Sequence, residues 1–403
     1  MICPPTRIGA LEQFTAFMEV LPLYARDRNK VVPGHAAVSR LSPAIRHRLI
    51  DGVELSRLAM ARWSLSRIEK WLQEVWWRQY WKAWLGSRPE VWSSYRQRLE
   101  QSWPQEILAR SAAIEAADSG NPIIDAFARE LSETGYLHNH ARMWIAAWWV
   151  HEERLPWELG AAWFFRHLLD GDPAANTLSW RWVAGLQTPG KTYLARRSNL
   201  EKYLDPEWLA QRLDGLAAFE SPEALLLEMP VLSPPCPFPE PVYEVDDSIA
   251  TGLWIHEEDL SPETTLPKSF RPQQVLVSGH ASAWLQAGFP TAKQSWLTAA
   301  LDDVAGRAEV NWKIPPQRLS GHDLASDLTH WADQSGLQQV VAMRPPVGPL
   351  SDEIPGISTA LERHGIRLLL LDRPADVESR PYAKSGFFKF WERVRPRLGE
   401  GSF

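Results

Sequence analysis

The stretch Asp170-Gly171-Asp172-Pro173-Ala174-Ala175-Asn176, followed by Trp180 and Trp182, decides how the rest of the sequence is interpreted. Glycine and proline both disfavour the interior of a helix, so the two carboxylates and the amide are expected on a loop or a first helical turn that faces something polar. Taken alone, the stretch fits an Asx-turn and a helix N-cap, with the tryptophans as ordinary core residues. The segments that precede it favour a binding site instead.

Three upstream segments combine polar and aromatic residues in the same unusual way. They are 38–43 (VSRLSP), 74–80 (EVWWRQY) and 134–143 (TGYLHNHARM), and Trp157 comes after the last of them. In this order and at these intervals, these three segments and the stretch at 170–182 resemble the flavin-binding domain of the DNA photolyase/cryptochrome family. The family patterns are roughly T-S-R-L-S-P, E-x-x-W-R-E-F, T-G-W-M-H-N-R-x-R-M and D-G-D-x-A-x-N-x-x-x-W-x-W. The resemblance covers about half of the chain.

The chain departs from these patterns at several positions, and four of them bear on the expected contacts. Val38 stands where the family usually has threonine, which removes one hydroxyl, and Gln79 stands where the family has a second acid. Tyr136 replaces a tryptophan, and His140 replaces an arginine that contacts DNA phosphate in the family. The last two departures weaken the implied contact with DNA.

Composition sets the broad class of the protein. The 403 residues are 45% apolar, enough for two domains with sizeable cores. Fifteen of the 22 tryptophans lie between Trp63 and Trp182, and tryptophan stacks on flat rings as well as filling cores. The two cysteines, Cys3 and Cys236, are too few for a disulfide framework or a four-cysteine iron–sulfur cluster. We therefore expect a cytoplasmic protein with no iron–sulfur cluster and no metal ligands.

Charge is distributed unevenly along the chain. Residues 1–200 have 25 Lys/Arg against 20 Asp/Glu, whereas residues 201–403 have 18 against 29. A mildly basic first half fits a surface that meets a nucleotide or a phosphate backbone, although ordinary solvated surfaces show differences of this size. Residues 1–10 contain no apolar run, and the longest such run, 143–150, is too short to span a bilayer. Neither a signal peptide nor a membrane partner is expected.

Helical periodicity dominates the first part of the chain. It predicts helices at 11–24, 64–86, 104–117, 123–132, 139–151 and 157–170. Seven prolines between Ser221 and Val242 then indicate an extended, semi-rigid linker. We therefore predict a helical domain over 1–215, a Pro-rich linker over 216–248 and a second domain over 249–403.

The pattern changes after the linker to strands that alternate with helices. Strand-like apolar segments occur at 252–256, 274–278, 309–313, 338–343 and 367–371. Helical stretches separate them near 291–305, 321–335, 354–364 and 386–395. This alternation predicts a Rossmann-like parallel sheet, so the fold class is α plus α/β, with an all-helical domain first and an α/β domain last.

Two segments of this second part also resemble the family. Residues 252–260 (GLWIHEEDL) are similar to the first strand of the photolyase antenna-type domain, usually L-V-W-F-R-R-D-L, and residues 385–391 (SGFFKFW) are similar to its last helix. In the family this domain comes first, so the chain resembles a circular permutant. His256, Glu257 and Glu258 replace the usual arginine pair, and the resemblance leaves the antenna chromophore unknown.

The resemblance implies that FAD is the cofactor. Asp172 would accept a hydrogen bond from the flavin ring, and Asn176 would face the ring nitrogen that gains a proton. Asp170 would pair with Arg142, for which a purely structural ion pair is the alternative. The residues at flavin-contacting positions of the family are Tyr24, Ser39, Arg40, Leu41, Ser42, Trp71, Glu74, Arg78, Asn139, Arg142, Asp170, Gly171, Asp172 and Asn176. Within 39–42, a helix cap is the alternative to a phosphate site.

The resemblance also implies an electron-transfer chain and a lesion pocket. Trp180 and Trp157 match two members of the family's tryptophan chain, and Trp103 is our choice for the outermost member; core packing is the alternative for each. A repair enzyme must hold a flipped pyrimidine dimer against aromatic side chains. The residues that match lesion-facing positions are Glu74, Trp77, Asn139, Met143 and Trp182.

Two functions of different class follow from this resemblance. The first is a blue-light-driven DNA photolyase, a lyase in which an electron from reduced FAD splits pyrimidine dimers in damaged DNA. The alternative is a cryptochrome-type photoreceptor flavoprotein without repair activity, which would signal to a partner protein that the sequence does not identify. A flavin-binding scaffold without photochemistry is a third hypothesis. The matches at lesion-facing positions favour the photolyase.

Overall fold

A computed structural model describes residues 3–242, 245–246 and 248–400. The predicted linker and second domain therefore lie in part outside the described residues. Before the linker, the described helices are α1 (Arg7–Phe17), α2 (Tyr24–Asp27), α3 (Ser42–Arg46), α4 (Gly52–Arg62), α5 (Leu65–Gly86), α6 (Pro89–Leu99), α7 (Gln105–Glu115), α8 (Pro122–Thr134), α9 (Asn139–Ala147), α10 (Trp157–His167), α11 (Pro173–Val183), α12 (Arg197–Tyr203) and α13 (Pro206–Ala210). Short 3-10 segments lie at Leu21–Leu23, Pro33–His35 and Leu213–Phe219, and a π-helical turn at Trp148–Glu152 follows α9.

After the linker, strands and helices alternate as predicted. The strands are β1 (Thr251–His256), β2 (Gln274–Ser278), β3 (Gln317–Leu319), β4 (Gln339–Met343) and β5 (Arg367–Leu371). The helices are α14 (Ala281–Gln286), α15 (Thr291–Trp312), α16 (Leu324–Gln334), α17 (Pro349–Arg363), α18 (Pro374–Ser379) and α19 (Phe387–Glu400), with 3-10 segments at Pro262–Thr264 and Arg380–Tyr382. The fold is therefore α plus α/β.

The chain divides into two compact units that interleave along the sequence. Among the described residues, the first unit contains 17–40 and 88–234, and the second contains 3–16, 41–87 and the residues from 235 to 400. Helices α3, α4 and α5 thus group with the sheet. The predicted domain boundaries at residues 215 and 248 divide the chain in sequence order, whereas these units are defined by spatial contacts. The boundaries therefore stay a prediction.

Local sequence explains where the helices of the first unit begin and end. Asn121 caps α8, because its side chain accepts hydrogen bonds from the N–H groups of Ile123 and Ile124, and Pro122 supplies the first helical position. The helix ends at Gly135, which has a φ of 65°, a left-handed conformation that glycine adopts without steric cost. The same capping logic starts α11, with Asp172 as cap and Pro173 at the first helical position.

The sheet of the second unit has five parallel strands in the order β3-β2-β1-β4-β5. Residues of β1 and β4 are buried throughout, as expected for central strands covered on both faces. The buried cluster beside the sheet is built on Trp254 and Trp331, and Gly252 allows the Trp331 ring to approach, because a Cβ there would lie 2.6 Å from it. The predicted Rossmann-like parallel sheet is confirmed.

The predicted strand at 309–313 is wrong. Helix α15 continues through Trp312, because its buried stripe repeats at helical spacing to the end, with Val304, Ala308 and Trp312 inside. The exposed Val310 gave this segment its strand-like apolar character. The third strand is the short, mostly exposed Gln317–Leu319 instead.

Two further boundaries differ from the prediction. The helix predicted over 11–24 begins at Arg7 and ends at Phe17, and Tyr24–Asp27 form the separate short helix α2. None of the described helices is long and apolar enough to cross a membrane.

Candidate functional site

The turn at residues 170–172 of the first unit is held in place by an arginine and by the backbone. The Nη1 and Nη2 atoms of Arg142 donate to the two carboxylate oxygens of Asp170 at 3.1 and 3.0 Å, and its Nε donates to Leu137 O at 2.9 Å. The Asp170 side chain is only 3% exposed, whereas that of Arg142 is 22% exposed. The predicted Asp170–Arg142 pair is therefore present, and its cationic side retains access to solvent.

Asp172 is the N-cap of α11. Its Oδ1 accepts hydrogen bonds from the N–H groups of Ala174 and Ala175 at 3.0 and 2.9 Å. One turn on, Asn176 Nδ2 donates to Ala161 O at 2.7 Å, and Asn176 Oδ1 accepts no hydrogen bond from any described residue. The cap that the sequence indicated is thus present, and beside it lies an amide oxygen available to a hydrogen-bond donor. The roles of both residues toward a cofactor stay predictions.

The three tryptophans of the predicted electron-transfer chain have different surroundings. Trp180 is buried against α10, where a Cβ on Gly160 would lie 2.3 Å from its ring. Among the described residues its Nε1 has no hydrogen-bond partner. Trp157 stacks on Tyr95 at a centroid distance of 5.5 Å, and Trp103 lies 4.6 Å from the guanidinium of Arg98.

The sequence analysis missed further aromatic contacts around these residues. Trp149 meets Trp180 edge-on at 6.2 Å and stacks on Trp163 at 5.8 Å. Tyr95, which stacks on Trp157, also lies 5.5 Å from Trp92. The helical spacing of Trp92 and Tyr95 was the available signal, but the other contacts join residues of different helices.

The lesion-facing candidates of the first unit are only partly covered. Trp182 is half-buried and stacks on Tyr193 at 5.4 Å. Asn139 is exposed, and its Nδ2 lies 3.6 Å from the sulfur of the half-buried Met143. These side chains have the access that a substrate contact needs.

Histidines surround the first turn of α9. His138 caps this helix, because its Nδ1 accepts from the N–H of His140, and its Nε2–H donates to Arg28 O at 3.0 Å. Burial, followed by the neighbouring His140 and His35, lowers the pKa of His138 to about 3. His140 stacks between Trp144 and Tyr203, at 5.5 and 4.9 Å. His138 is therefore neutral at physiological pH. His140 packs against two aromatic rings.

The candidates Tyr24, Ser39 and Arg40 lie near the start of the first unit. Tyr24 is half-buried with its ring edge-on to Phe17 at 6.2 Å, and Ser39 is half-buried. Arg40 has a φ of 56°, a left-handed conformation that is unfavourable for a long side chain, and its Nε has no partner among the described residues. A strained arginine with a donor left over fits an anion-binding role.

In the second unit, Leu41 and Ser42 open α3. Leu41 is fully buried, and the helix begins at Ser42. Ser42 was expected to cap the helix, but it makes no capping bond, and within the described residues its Oγ is buried without a hydrogen-bond partner. An unsatisfied hydroxyl costs free energy in the absence of a ligand, so this residue suits a phosphate contact.

Helix α5 presents the remaining candidates. Trp71 is buried and stacks on Phe14 at 5.4 Å, whereas Glu74 and Arg78 are half-buried. Trp77 is half-buried and stacks on Phe387 of α19 at 3.9 Å, so the protein itself covers one face of this ring. Gln79, where the family has an acid, donates to Asp376 at 2.7 Å. Gln79 and Asp376 both line a cavity of about 40 Å³.

The turn after β1, at 256–259, forms a second acidic cluster. Arg46 pairs with Glu258 through both guanidinium nitrogens, and Arg373 pairs with Asp259 at 2.7 Å. Burial alone would raise the pKa of Glu258, but the Arg46 guanidinium lowers it to about 2. Glu257 accepts from His280 N and Trp284 Nε1, each at 3.0 Å. All three acids of this turn thus have partners from the protein itself.

One part of the chain is similar to known proteins. Residues 71–219 match the family described as the FAD binding domain of DNA photolyase. The chain is 35% identical over 166 residues to a deoxyribodipyrimidine photo-lyase of Synechococcus sp., an alignment that covers 39% of this chain and 34% of that protein. It is 35% identical over 202 residues to a deoxyribodipyrimidine photo-lyase of Thermus thermophilus, covering 47% of this chain and 45% of that protein.

A bacterial class III photolyase from Agrobacterium tumefaciens is similar in structure, with a TM-score of 0.42 and 26% identity over 49% of this chain and 42% of that one. This chain spans less than half the length of the curated relatives quoted above.

Proposed function

We propose that the protein is an FAD-dependent, blue-light-driven DNA photolyase, on the basis of the family match over residues 71–219 and of the relatives named deoxyribodipyrimidine photo-lyase. Its substrates would be pyrimidine dimers in damaged DNA. When bound, FAD supplies the light-driven electron that splits such a dimer. The curated relatives named deoxyribodipyrimidine photo-lyase support this reaction class.

The observation that carries the proposal is the arrangement of residues 170–176 around Arg142. A buried carboxylate anchors a half-exposed guanidinium, and a capped helix then presents the free Oδ1 of Asn176 one turn later. A flavin ring offers N–H donors and carbonyl acceptors, so this set of an amide oxygen, a carboxylate and a guanidinium fits it. A protein that needed only a capped helix would not need the exposed cation.

The protein's own residues would then divide into three groups. Arg142, Asp170, Asp172 and Asn176 orient the cofactor, and Arg40 and Ser42 are donors for its phosphates. Trp180, Trp157 and Trp103 are the proposed electron-transfer residues. The remaining proposed cofactor residues are Tyr24, Ser39, Leu41, Trp71, Glu74, Arg78, Asn139 and Gly171.

The proposed substrate contacts are side chains that remain at least partly accessible to solvent. Trp182 offers a half-buried ring for base stacking, and Asn139 and Met143 lie one turn apart on α9. We propose that Glu74 and Trp77 of α5 also contact the lesion.

One observation favours the cryptochrome-type photoreceptor as a second candidate. Phe387 stacks on Trp77 at 3.9 Å, so one face of a ring expected to hold a base is already occupied. A photoreceptor would not need that face. Repair would use the opposite face of Trp77, or Trp182 alone.

The test is a repair assay. Protein reconstituted with FAD and reduced would be mixed with an oligonucleotide that contains a thymine dimer, illuminated with blue light, and analysed for restored thymines. We expect repair only in the light, and much less repair by Asp172→Asn, which keeps the cap because asparagine caps helices as well as aspartate. FAD binding and photoreduction without restored thymines would contradict repair and favour the photoreceptor.

The electron-transfer assignment has its own test. Trp180→Phe keeps an aromatic ring against Gly160 but is much harder to oxidise, so photoreduction of bound FAD should slow strongly while FAD stays bound. Reduction at the wild-type rate would show that Trp180 is not part of the route.

A further inference from the structure

The last helix of the second unit concentrates positive charge that the proposed function does not use. Residues 380–397 contain six of the 18 Lys/Arg in residues 201–403, and Glu392 is their only acidic residue. The rest of this half is strongly acidic, with 29 Asp/Glu in total. A basic segment within an acidic half indicates a local polyanion partner.

Three of these basic residues pair with acids of the same unit. Arg380, Arg395 and Arg397 contact Asp372, Glu69 and Glu378 at 2.7, 3.3 and 3.0 Å, respectively. Lys389 and Arg393 are exposed, and in the described part of the chain neither has an acidic partner. They are four residues apart on α19 and therefore lie on the same face.

An exposed aromatic ring lies in the first turn of the same helix. Helix α19 buries Phe387, Phe390 and Trp391, but Phe388 is 60% exposed. Its ring meets that of Trp77 edge-on at 6.2 Å, which fixes its position at the start of the helix. An exposed phenylalanine on a helix that also carries unpaired cations matches the combination that binds single-stranded nucleic acid.

Helix α5 adds basic residues to the same region of the unit. Trp391 Nε1 donates to Glu69 at 2.9 Å, which joins α19 to the first half of α5. Within two residues of Glu69 lie the exposed Arg67 and Lys70. Arg67 stacks over Trp63 at 4.8 Å and Lys70 donates to Gln73, so neither is neutralised by an acid among the described residues.

We propose that Arg67, Lys70, Phe388, Lys389 and Arg393 form a DNA-binding surface, the α5–α19 strip. The cations contact backbone phosphates, and Phe388 stacks on an unpaired base. This inference rests on the proposed function for the choice of DNA as the polyanion, and it adds contact residues beyond the predicted lesion-facing set. A lipid surface fits less well, because a single exposed phenylalanine offers little apolar area for insertion.

The test measures binding of fluorescein-labelled, undamaged oligonucleotides, single-stranded and duplex, by fluorescence anisotropy at several salt concentrations. Lys389→Glu/Arg393→Glu should weaken binding about tenfold and reduce the log–log salt slope by about 1.4–1.8, the value for two lost phosphate contacts. Lys268→Glu/Arg363→Glu is the matched control, because it makes the same charge change at exposed residues of the same unit. The control should change affinity less than about threefold.

A third variant isolates the aromatic contact. Phe388→Ser should weaken binding of the single strand about fivefold or more and leave duplex binding unchanged, because only an unpaired base offers a free face. Thermal melting identifies any variant that does not fold, and Lys389→Gln and Arg393→Gln then replace the double variant with a smaller charge change.

Equal weakening by the double variant and its control would overturn the proposal, since net charge alone would then explain both. Binding to phosphatidylserine vesicles but not to DNA would also overturn it. The repair assay on the wild type tests the proposed function separately from the α5–α19 strip. Loss of DNA binding in the double variant supports the strip even if the wild type repairs nothing, whereas repair by the wild type with unchanged binding by the double variant overturns the strip alone.

Discussion

Two acidic turns, one in each unit, use their carboxylates in opposite ways. At 170–172 one aspartate holds a half-exposed arginine and the other caps a helix, and an amide oxygen nearby remains unused. At 256–259 each acid is buried and bonded to the protein, Glu258 to Arg46 and Asp259 to Arg373. The difference shows that an acid-rich loop indicates a binding site only when some of its hydrogen-bonding capacity is left over.

The second turn also clarifies the antenna-type resemblance. In a parallel sheet, ligands bind at the carboxyl ends of central strands, and 256–259 follows directly after β1. Here that position contains ion pairs to Arg46, which precedes β1 by some 200 residues, and to Arg373. The acids of this turn thus join α3 to the sheet.

The largest expected effect is on the buried pair. Glu258→Gln leaves the Arg46 guanidinium buried without its counter-charge and should lower the free energy of unfolding by about 3–5 kcal/mol, measured by urea denaturation. Asp302→Asn is the control, since Asp302 is 65% exposed and pairs with Arg318 at the surface, and it should cost less than about 1 kcal/mol. Similar costs for the two variants would show that the 256–259 turn is not a structural joint.

Acid should unfold the second unit through the same carboxylate. The Arg46 guanidinium holds the pKa of Glu258 at about 2, against an ordinary value of 4.5, despite burial. A depressed pKa means that this carboxylate stabilises the folded state above about pH 4.5 and that this stabilisation is lost as the pH falls toward 2. Glu258→Gln should therefore show a weaker dependence of unfolding free energy on pH between 4.5 and 2, and a dependence equal to the wild type's would contradict the assignment.

The cap of the first turn should contribute an intermediate amount. Asp172→Ala removes two hydrogen bonds at the start of α11 and should lower the free energy of unfolding by about 0.5–2 kcal/mol. Asp172→Asn should stay within about 0.5 kcal/mol of the wild type, because asparagine is an equally good cap. If Asp172→Asn lowered the free energy of unfolding as much as Asp172→Ala, the charge of Asp172 would stabilise the turn and its capping hydrogen bonds would not.

Histidine protonation should destabilise the first unit over a higher pH range. Burial lowers the pKa of His138 to about 3, below its ordinary value of 6.5, so the unfolded chain takes up this proton first as the pH falls. Stability is thus lost below pH 6.5, and between pH 7 and 5.5 the loss should be about 1 kcal/mol. His138→Asn can still cap α9 and should show a smaller loss by denaturation at the two pH values. If His138→Asn lost as much stability as the wild type between the two pH values, other histidines would be the cause of the loss.

The smallest expected effect is that of salt. The Arg142–Asp170 pair has a half-exposed cation, so raising ionic strength from about 0.05 to 0.5 M should reduce the cost of Asp170→Asn by a few tenths of a kcal/mol. The cost of Glu258→Gln should not change, because buried pairs are screened much less. Equal salt sensitivity of the two costs would remove the distinction between the turns.

Local patterns were predictable from the sequence, and long-range partners were not. The bounds of α5 and β2, the cap at Asp172 and the Arg142–Asp170 pair followed from spacing, proline position and family resemblance. The Phe387–Trp77 stack joins residues more than 300 positions apart, so no local pattern indicates it. The end of α15 was missed because its last apolar residues fit a strand as well as a helix.

The measurement that tests the central contrast most directly is FAD binding by the folded protein. Purified protein and Asp172→Asn would be titrated with FAD, and bound flavin would be read from its absorption and quenched fluorescence. We predict one FAD per wild-type chain and a fall in affinity of at least about tenfold for Asp172→Asn, equivalent to ~1.4 kcal/mol, with no loss of stability. A folded wild type that binds no FAD, or a variant that binds it equally well, would contradict the assignment of the 170–172 turn as the cofactor site.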